Sequence, residues 1–216
     1  MSLLDHPLQL IIILFALSVL PLFAVMGTSF LKLSVVFSLL RNALGIQQIP
    51  PNMAIYGLAL ILTMFVMAPI GFQIEDNFKQ HPVDLTSDHF FQQIDSGALE
   101  PYREFLTKHT DRKQVRFFSE VGHRLWPKFY QKKLNEGSLL VMIPAFTVSQ
   151  LVEAFKIGLL LFLPFVAIDL IVSNVLLAMG MMMVSPMTIS LPFKLLIFVL
   201  MGGWEKLLTQ LMLSYS

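Results

Sequence analysis

The sequence predicts an all-α, membrane-type protein: apolar helical hairpins with broken or kinked helices, and a small helical polar insert. Three observations carry this. Of the 216 residues, 56% are hydrophobic and only 13% are charged, about half the charged share of a typical soluble domain. The charge is also segregated, since Gln73–Ser138 holds 10 acidic and 10 basic residues, 20 of the chain's 29. Finally, the apolar runs on either side reach the length of helices that cross a hydrocarbon core of about 30 Å. The chain therefore divides into an N-terminal apolar hairpin (1–72), a polar helical insert (73–138) and C-terminal apolar hairpins with a methionine-rich loop (139–216). A net charge of +1 gives no pull towards nucleic acid. With no cysteine there is no disulfide framework, thiolate metal site or thiol nucleophile.

Taken in order, the first apolar run, Leu8–Leu40, is 33 residues long and contains Lys32. The residues before it, Met1–Pro7, carry Asp5 but no Lys or Arg, and no A-x-A site follows. This is expected to be a retained segment and not a cleaved signal. Arg41 marks the next loop as cytoplasmic by the positive-inside rule, which places the N-terminus and the insert outside, on the periplasmic side in a bacterium. Met53–Phe72 is a clean, uncharged span of 20 residues. Leu151–Val184 runs for 34 residues and contains Glu153, Lys156 and Asp169. The last run, Ile189–Leu213, is interrupted by Pro192, Lys194, Gly202 and Gly203. As straight helices the two longest runs would measure about 50 Å. Either they break, at Pro21, Gly27 and Pro164, or they extend beyond the bilayer. Such helices need protein neighbours more than lipid.

Within the insert, Ser87 or Asp88 can cap a helix bearing Phe90, Phe91 and Ile94, with Gly97 as its stop. Pro101 suits the start of a second helix with Tyr102, Phe105 and Leu106. Thr110 or Asp111 can cap a third, whose stripe of Val115, Phe118, Val121, Leu125 and Phe129 reads as a core face or as a partner-docking face.

Few constellations could carry chemistry. The five histidines (6, 81, 89, 109, 123) show no i+3 or i+4 pairing and no HExxH, so no metal site is expected. There is no G-x-S-x-G and no P-loop, and no cofactor is implied. The charges inside apolar runs matter more, because each is costly in lipid unless paired. Glu153 and Lys156, three apart, can neutralise each other. Asp169 lies 13 residues beyond Lys156, about 220° round an ideal helix. It therefore needs a partner on another segment or subunit, or else a proton, and reads as an inter-helix bond or a proton relay. Lys32 and Lys194 could pair in the same way or snorkel. A small-solute or ion transporter using Asp169 or the Glu153/Lys156 pair is the reading these charges would support.

The stretch Met179-Gly-Met-Met-Met-Val-Ser-Pro-Met187 is the most unusual local feature. Met179 and Met183 share a helical face, as core residues would. The consecutive Met181, Met182 and Met183 sweep about 200° and cannot all face one core. Ser185-Pro186 ends any helix here. Flexible thioethers at such a turn form a deformable apolar surface, which several subunits could close into a ring around a polypeptide.

The residues also carry a resemblance. Ile143-Pro-Ala-Phe146, Ala154-Phe-Lys-Ile-Gly158, Leu163-Pro-Phe165, Ile168-Asp-Leu170, Met179-Gly-Met-Met-Met183, Ile189-Ser-Leu-Pro-Phe-Lys194 and Gly203-Trp204 resemble the FliP/SctR family. So do Thr28-Ser-Phe-Leu-Lys32, Leu40-Arg41, Leu44-Gly45, Gln47-Gln48, Pro51-Asn52 and Phe65-Val-Met-Ala-Pro69. That family supplies core subunits of the type III secretion export apparatus. Gln150, where flagellar members usually carry Glu, leans towards the injectisome branch.

The resemblance implies a non-enzymatic subunit of the bacterial inner membrane. It would assemble as a homo-oligomer, a pentamer, with SctS-type and SctT-type subunits into a helical pore complex, beside SctU-type and SctV-type subunits. Unfolded secreted proteins would pass through the centre. Met181, Met182 and Met183, flanked by Met179 and Met187, match the family's channel gasket. From their place inside apolar runs, and apart from the resemblance, Lys32, Glu153, Lys156, Asp169 and Lys194 read as buried charges that serve assembly. Energy would come from an ATPase complex and the proton motive force.

Overall fold

The computed structural model describes residues 7–46, 50–80, 99–131 and 134–216, which are helical and contain no strand. The helices are α1 (Pro7–Met26), α2 (Phe30–Leu44), α3 (Asn52–Gln80), α4 (Glu100–Lys108), α5 (Arg112–Leu125), α6 (Lys128–Gln131), α7 (Leu139–Ala178), α8 (Pro186–Leu200) and α9 (Gly203–Leu213). The all-α expectation holds. Two helices among the described residues, α3 and α7, are long and apolar enough to cross a membrane. A third crossing is available if α8 and α9, bent by 60°, act as one span.

The over-long runs resolve in two different ways. The first breaks at Gly27–Ser29, while α1 continues through Pro21. The second does not break: α7 runs for 40 residues through Pro164. At 1.5 Å per residue it is about 60 Å long, roughly twice a hydrocarbon core. It therefore extends beyond any bilayer it enters.

The chain forms two compact units. The first comprises residues 1–31 and 74–148. Its core is Phe105 and Leu106 of α4 with Val141, Met142, Ala145 and Phe146 of α7, all buried, and the Phe105 and Phe146 rings lie 5.6 Å apart. Pro101 stands in the first turn of α4, and the Asp111 side chain caps α5 by accepting from the Lys113 amide at 2.9 Å. Both positions follow from the preference for proline near N1 and a carboxylate at the N-cap. The Tyr102 hydroxyl donates to the Gly27 carbonyl at 2.9 Å, and Thr147 Oγ1 donates to the Met26 carbonyl at 3.1 Å. A β-carbon on Gly27 would sit 2.3 Å from the Tyr102 hydroxyl, so this contact requires glycine.

The α5 stripe departs from its core reading. Val115, Phe118 and Val121 are half-buried, whereas Leu125 and Phe129 are 75% and 82% exposed. The helix ends at Leu125, and Pro127 starts a new turn, which takes Phe129 off the α5 face. The helix expected around Phe90, Phe91 and Ile94 lies outside the described residues.

The second unit comprises residues 32–73 and 149–216. Its core is centred on α2, where Leu33, Val36, Phe37, Leu40, Ala43 and Leu44 are buried. Packing against α7 is close: a β-carbon on Gly158 would meet Leu39 Cδ1 at 2.2 Å. Phe198 of α8 anchors an aromatic cluster, its ring 5.6 Å from Trp204 and 6.3 Å from Phe165. The outward faces of α3 and α7 remain apolar and open, with Phe65 at 74% and Leu160 at 68% exposure. Such a surface requires lipid or protein to cover it.

Candidate functional site

Two buried lysines organise the second unit. Lys32 on α2 is 2% exposed. Its ammonium donates to Glu153 Oε2 of α7 at 2.7 Å and to Ser214 Oγ at 3.0 Å, and lies 4.6 Å from the Tyr215 ring centroid. Tyr215 in turn donates its hydroxyl to Gln150 Oε1 at 2.6 Å. One ammonium thus joins α2, α7 and the residues after α9. Burial of the charge is offset by a carboxylate, a hydroxyl and an aromatic face.

The second cluster has the same logic. Lys194 on α8 is 3% exposed and donates to Asp169 Oδ2 of α7 at 2.6 Å. It also reaches the Ala43 carbonyl of α2 at 3.4 Å, while Ser190 Oγ donates to Asp169 Oδ1 at 2.5 Å. Asp169 therefore finds its partner on another helix of the same chain.

One pairing expected from the sequence is replaced. Glu153 and Lys156 do not neutralise each other. Glu153 takes Lys32, 121 residues away, and Lys156 is exposed. The helix turn that would join Glu153 to Lys156 points along the surface of α7, whereas Lys32 offers Glu153 a contact at the helix interface. Nor do Lys32 and Lys194 snorkel: both ammonium groups are buried in hydrogen bonds.

The methionines occupy the connection between α7 and α8. Gly180, at φ +74°, closes α7: its amide bonds to the Leu177 carbonyl and the Met181 amide to the Leu176 carbonyl, both at 3.0 Å. This paired closure is the Schellman C-cap, which favours glycine for its left-handed conformation. Ser185, extended at φ −68° and ψ 120°, and Pro186 then open α8. Between these two stops the side chains project outward, Met182 at 81% exposure and Met183 fully exposed. Met179 and Met181 are also exposed, and Met187, in the first turn of α8, is half-exposed. Among the described residues no group of three or more His, Cys, Asp or Glu side chains could hold a metal ion.

Residues 13–211 match the FliP family. The chain belongs to that family. It is 60% identical over 217 residues to a Salmonella typhimurium protein named "Virulence protein YscR", covering all of both chains. It is 55% identical to "Yop proteins translocation protein R" of Yersinia pestis, over 99% of this chain and 98% of that one. It is also 47% identical to "Harpin secretion protein HrcR" of Erwinia amylovora, over 97% and 96% of the two chains. The resemblance read from the sequence, with its lean to the virulence branch, agrees with these matches.

In this FliP-family chain, sequence reasoning found both buried lysines and both acids but missed Ser190, Ser214, Tyr215 and Gln150, which complete the clusters. Ser190 was accessible in principle, since Ser190 and Lys194 stand four apart on one face of α8. Tyr215 carried no local signal, because its partners lie 183 and 65 residues upstream.

Proposed function

We propose that this chain is a pore-forming, non-enzymatic core subunit of a bacterial type III secretion export apparatus. It sits in the inner membrane with its polar insert on the periplasmic side. It acts as a homo-oligomer, a pentamer, with SctS-type and SctT-type subunits, in contact with SctU-type and SctV-type subunits. Unfolded proteins cross through the central channel, and the side chains of Met181, Met182 and Met183 close it. The observation that carries the reading is the methionine connection: three consecutive thioethers project from a turn fixed by glycine at one end and proline at the other. A single chain gains nothing by exposing them, whereas several copies could bring them together at one axis. Unbranched thioethers then adapt to different polypeptides and repack when none is present.

Family membership and the secretion and translocation names of the relatives support the export role. The transporter alternative draws little from the geometry. Asp169 and Glu153 are each engaged by a buried lysine, and Lys156 is not the partner of Glu153. The test is the triple change Met181→Ala, Met182→Ala and Met183→Ala. Complex yield is expected to be unchanged while the membrane becomes permeable to small solutes. Unchanged permeability at normal complex levels would sink the gasket. Native mass spectrometry of the detergent-released complex tests the assembly, and a stable monomer overturns it.

A further inference from the structure

The second unit contains a cavity of about 470 Å³, within the usual range of small-ligand sites. Its wall includes Leu40 and Leu44 of α2, Leu58 of α3, Phe198 of α8 and Trp204 of α9. Among the described residues Arg41 is the one ionisable side chain in that wall. Its guanidinium reaches the Pro50 carbonyl at 3.5 Å and the Asn52 side chain through the same nitrogen, Nη1, and Nε is buried with no acceptor among the described residues. This charge stands beside the first residue of α3, one of the helices able to cross a membrane.

We infer that this cavity binds a phospholipid with an anionic headgroup, its acyl chain against the apolar wall and its phosphate at Arg41. Three features converge on that occupant. An apolar slot suits a hydrocarbon chain, and a cation in its wall favours a negative headgroup over a zwitterionic one. α3 is long and apolar enough to span, and the start of such a helix, where its dipole is positive, falls at the depth of headgroups. Trp204, half-exposed, lines the same cavity as Arg41, and an indole together with a basic side chain is characteristic of the membrane–water boundary. A free anion would leave the slot empty, and an uncharged hydrocarbon would offer nothing to Arg41 Nε. The inference holds independently of whether the methionines seal a channel.

Trp204 is also the reporter. The full-length chain is placed in vesicles containing phosphatidylglycerol or phosphatidylcholine with brominated acyl chains. Quenching is taken as the difference between chains with Trp204 and with Trp204→Phe, so that no other tryptophan counts. Brominated phosphatidylglycerol is expected to quench at a lower mole fraction than brominated phosphatidylcholine, by roughly fivefold, the effect of one basic side chain at an anionic membrane surface. Arg41→Gln should remove that preference and Arg41→Lys should retain it. Ala54→Phe, a change at an exposed position of the cavity wall, should reduce quenching by both lipids. Equal quenching by the two lipids would mean bulk contact and overturn the site. So would a preference that survives both Arg41→Gln and Ala54→Phe. The same difference measured in the assembled export complex decides the remaining rival: loss of quenching there would assign the cavity to a neighbouring subunit's side chain and overturn lipid binding.

Discussion

Lys32 and Lys194 are almost wholly buried, while Met182 and Met183 are almost wholly exposed. A water-soluble protein would place these residue types the other way round. The contrast separates two jobs. The charges hold helices together within the chain, each ammonium tied to a carboxylate on α7. The methionines contact little of their own chain and are available to something outside it. Many large apolar side chains are exposed here, so hydrophobicity alone does not mark the core, and the two buried lysines help to mark it.

The largest expected effect tests the charged side. Asp169→Ala leaves the Lys194 ammonium buried without its carboxylate, and breaking such a pair costs about 3–5 kcal/mol. Recovery of detergent-stable protein should collapse. Adding Lys194→Met should restore much of it, because a buried pair replaced by apolar side chains is often neutral. If Asp169→Ala instead left thermal stability unchanged and stopped secretion, the residue would be a working acid and the division of jobs would fail. Glu153→Ala should cost less, about 1–3 kcal/mol, since Lys32 keeps Ser214 and the Tyr215 ring and Glu153 is already half exposed. A thermal-unfolding comparison of the two variants would give that order.

On the methionine side, Gly180→Val forces a β-branched residue into a left-handed conformation. The expected cost is roughly 1–2 kcal/mol, and it is purely a backbone effect, because a β-carbon there meets nothing within 4 Å. Solute leakage should rise before complex yield falls; the reverse order would show that the turn matters only for folding.

The last effect falls on a buried polar group that is neutral, and it shows only at high pH. Burial pushes the Tyr102 hydroxyl up to about 12, against about 10 in the unfolded chain. The stability it contributes is complete below pH 10 and is lost as pH rises through 12, because the unfolded state gives up the proton first. Tyr102→Phe should flatten the stability profile between those limits, as read by thermal unfolding at pH 9, 10 and 11. An unaltered profile would place the titration elsewhere.

Much of the local structure was legible. Pro101 and Asp111 announced two helices of the insert, because caps and proline act within one turn, whereas Ser185-Pro186, read as a helix stop, instead opens α8 after Gly180 has already closed α7. Distant pairings were not legible. The opposed positions of Asp169 and Lys156 on an ideal helix excluded one partner without naming Lys194, and Glu153 looked satisfied three residues away until α2 brought Lys32 against it. Pro164 was equally ambiguous, since a proline in a long helix breaks it only where its neighbours cannot accommodate the lost hydrogen bond.

The connection between α7 and α8 has a mechanical consequence. Gly180 halts one helix and Pro186 compels the next, so the seven residues Met179–Ser185 cannot be lengthened or shortened by winding a turn on either side. Helix growth into this segment is disfavoured, because Gly180 would have to leave its left-handed cap and Pro186 its first-turn position. Compliance is left to the thioether torsions, which are soft and recover within nanoseconds. The segment behaves as bristles on a rigid mount.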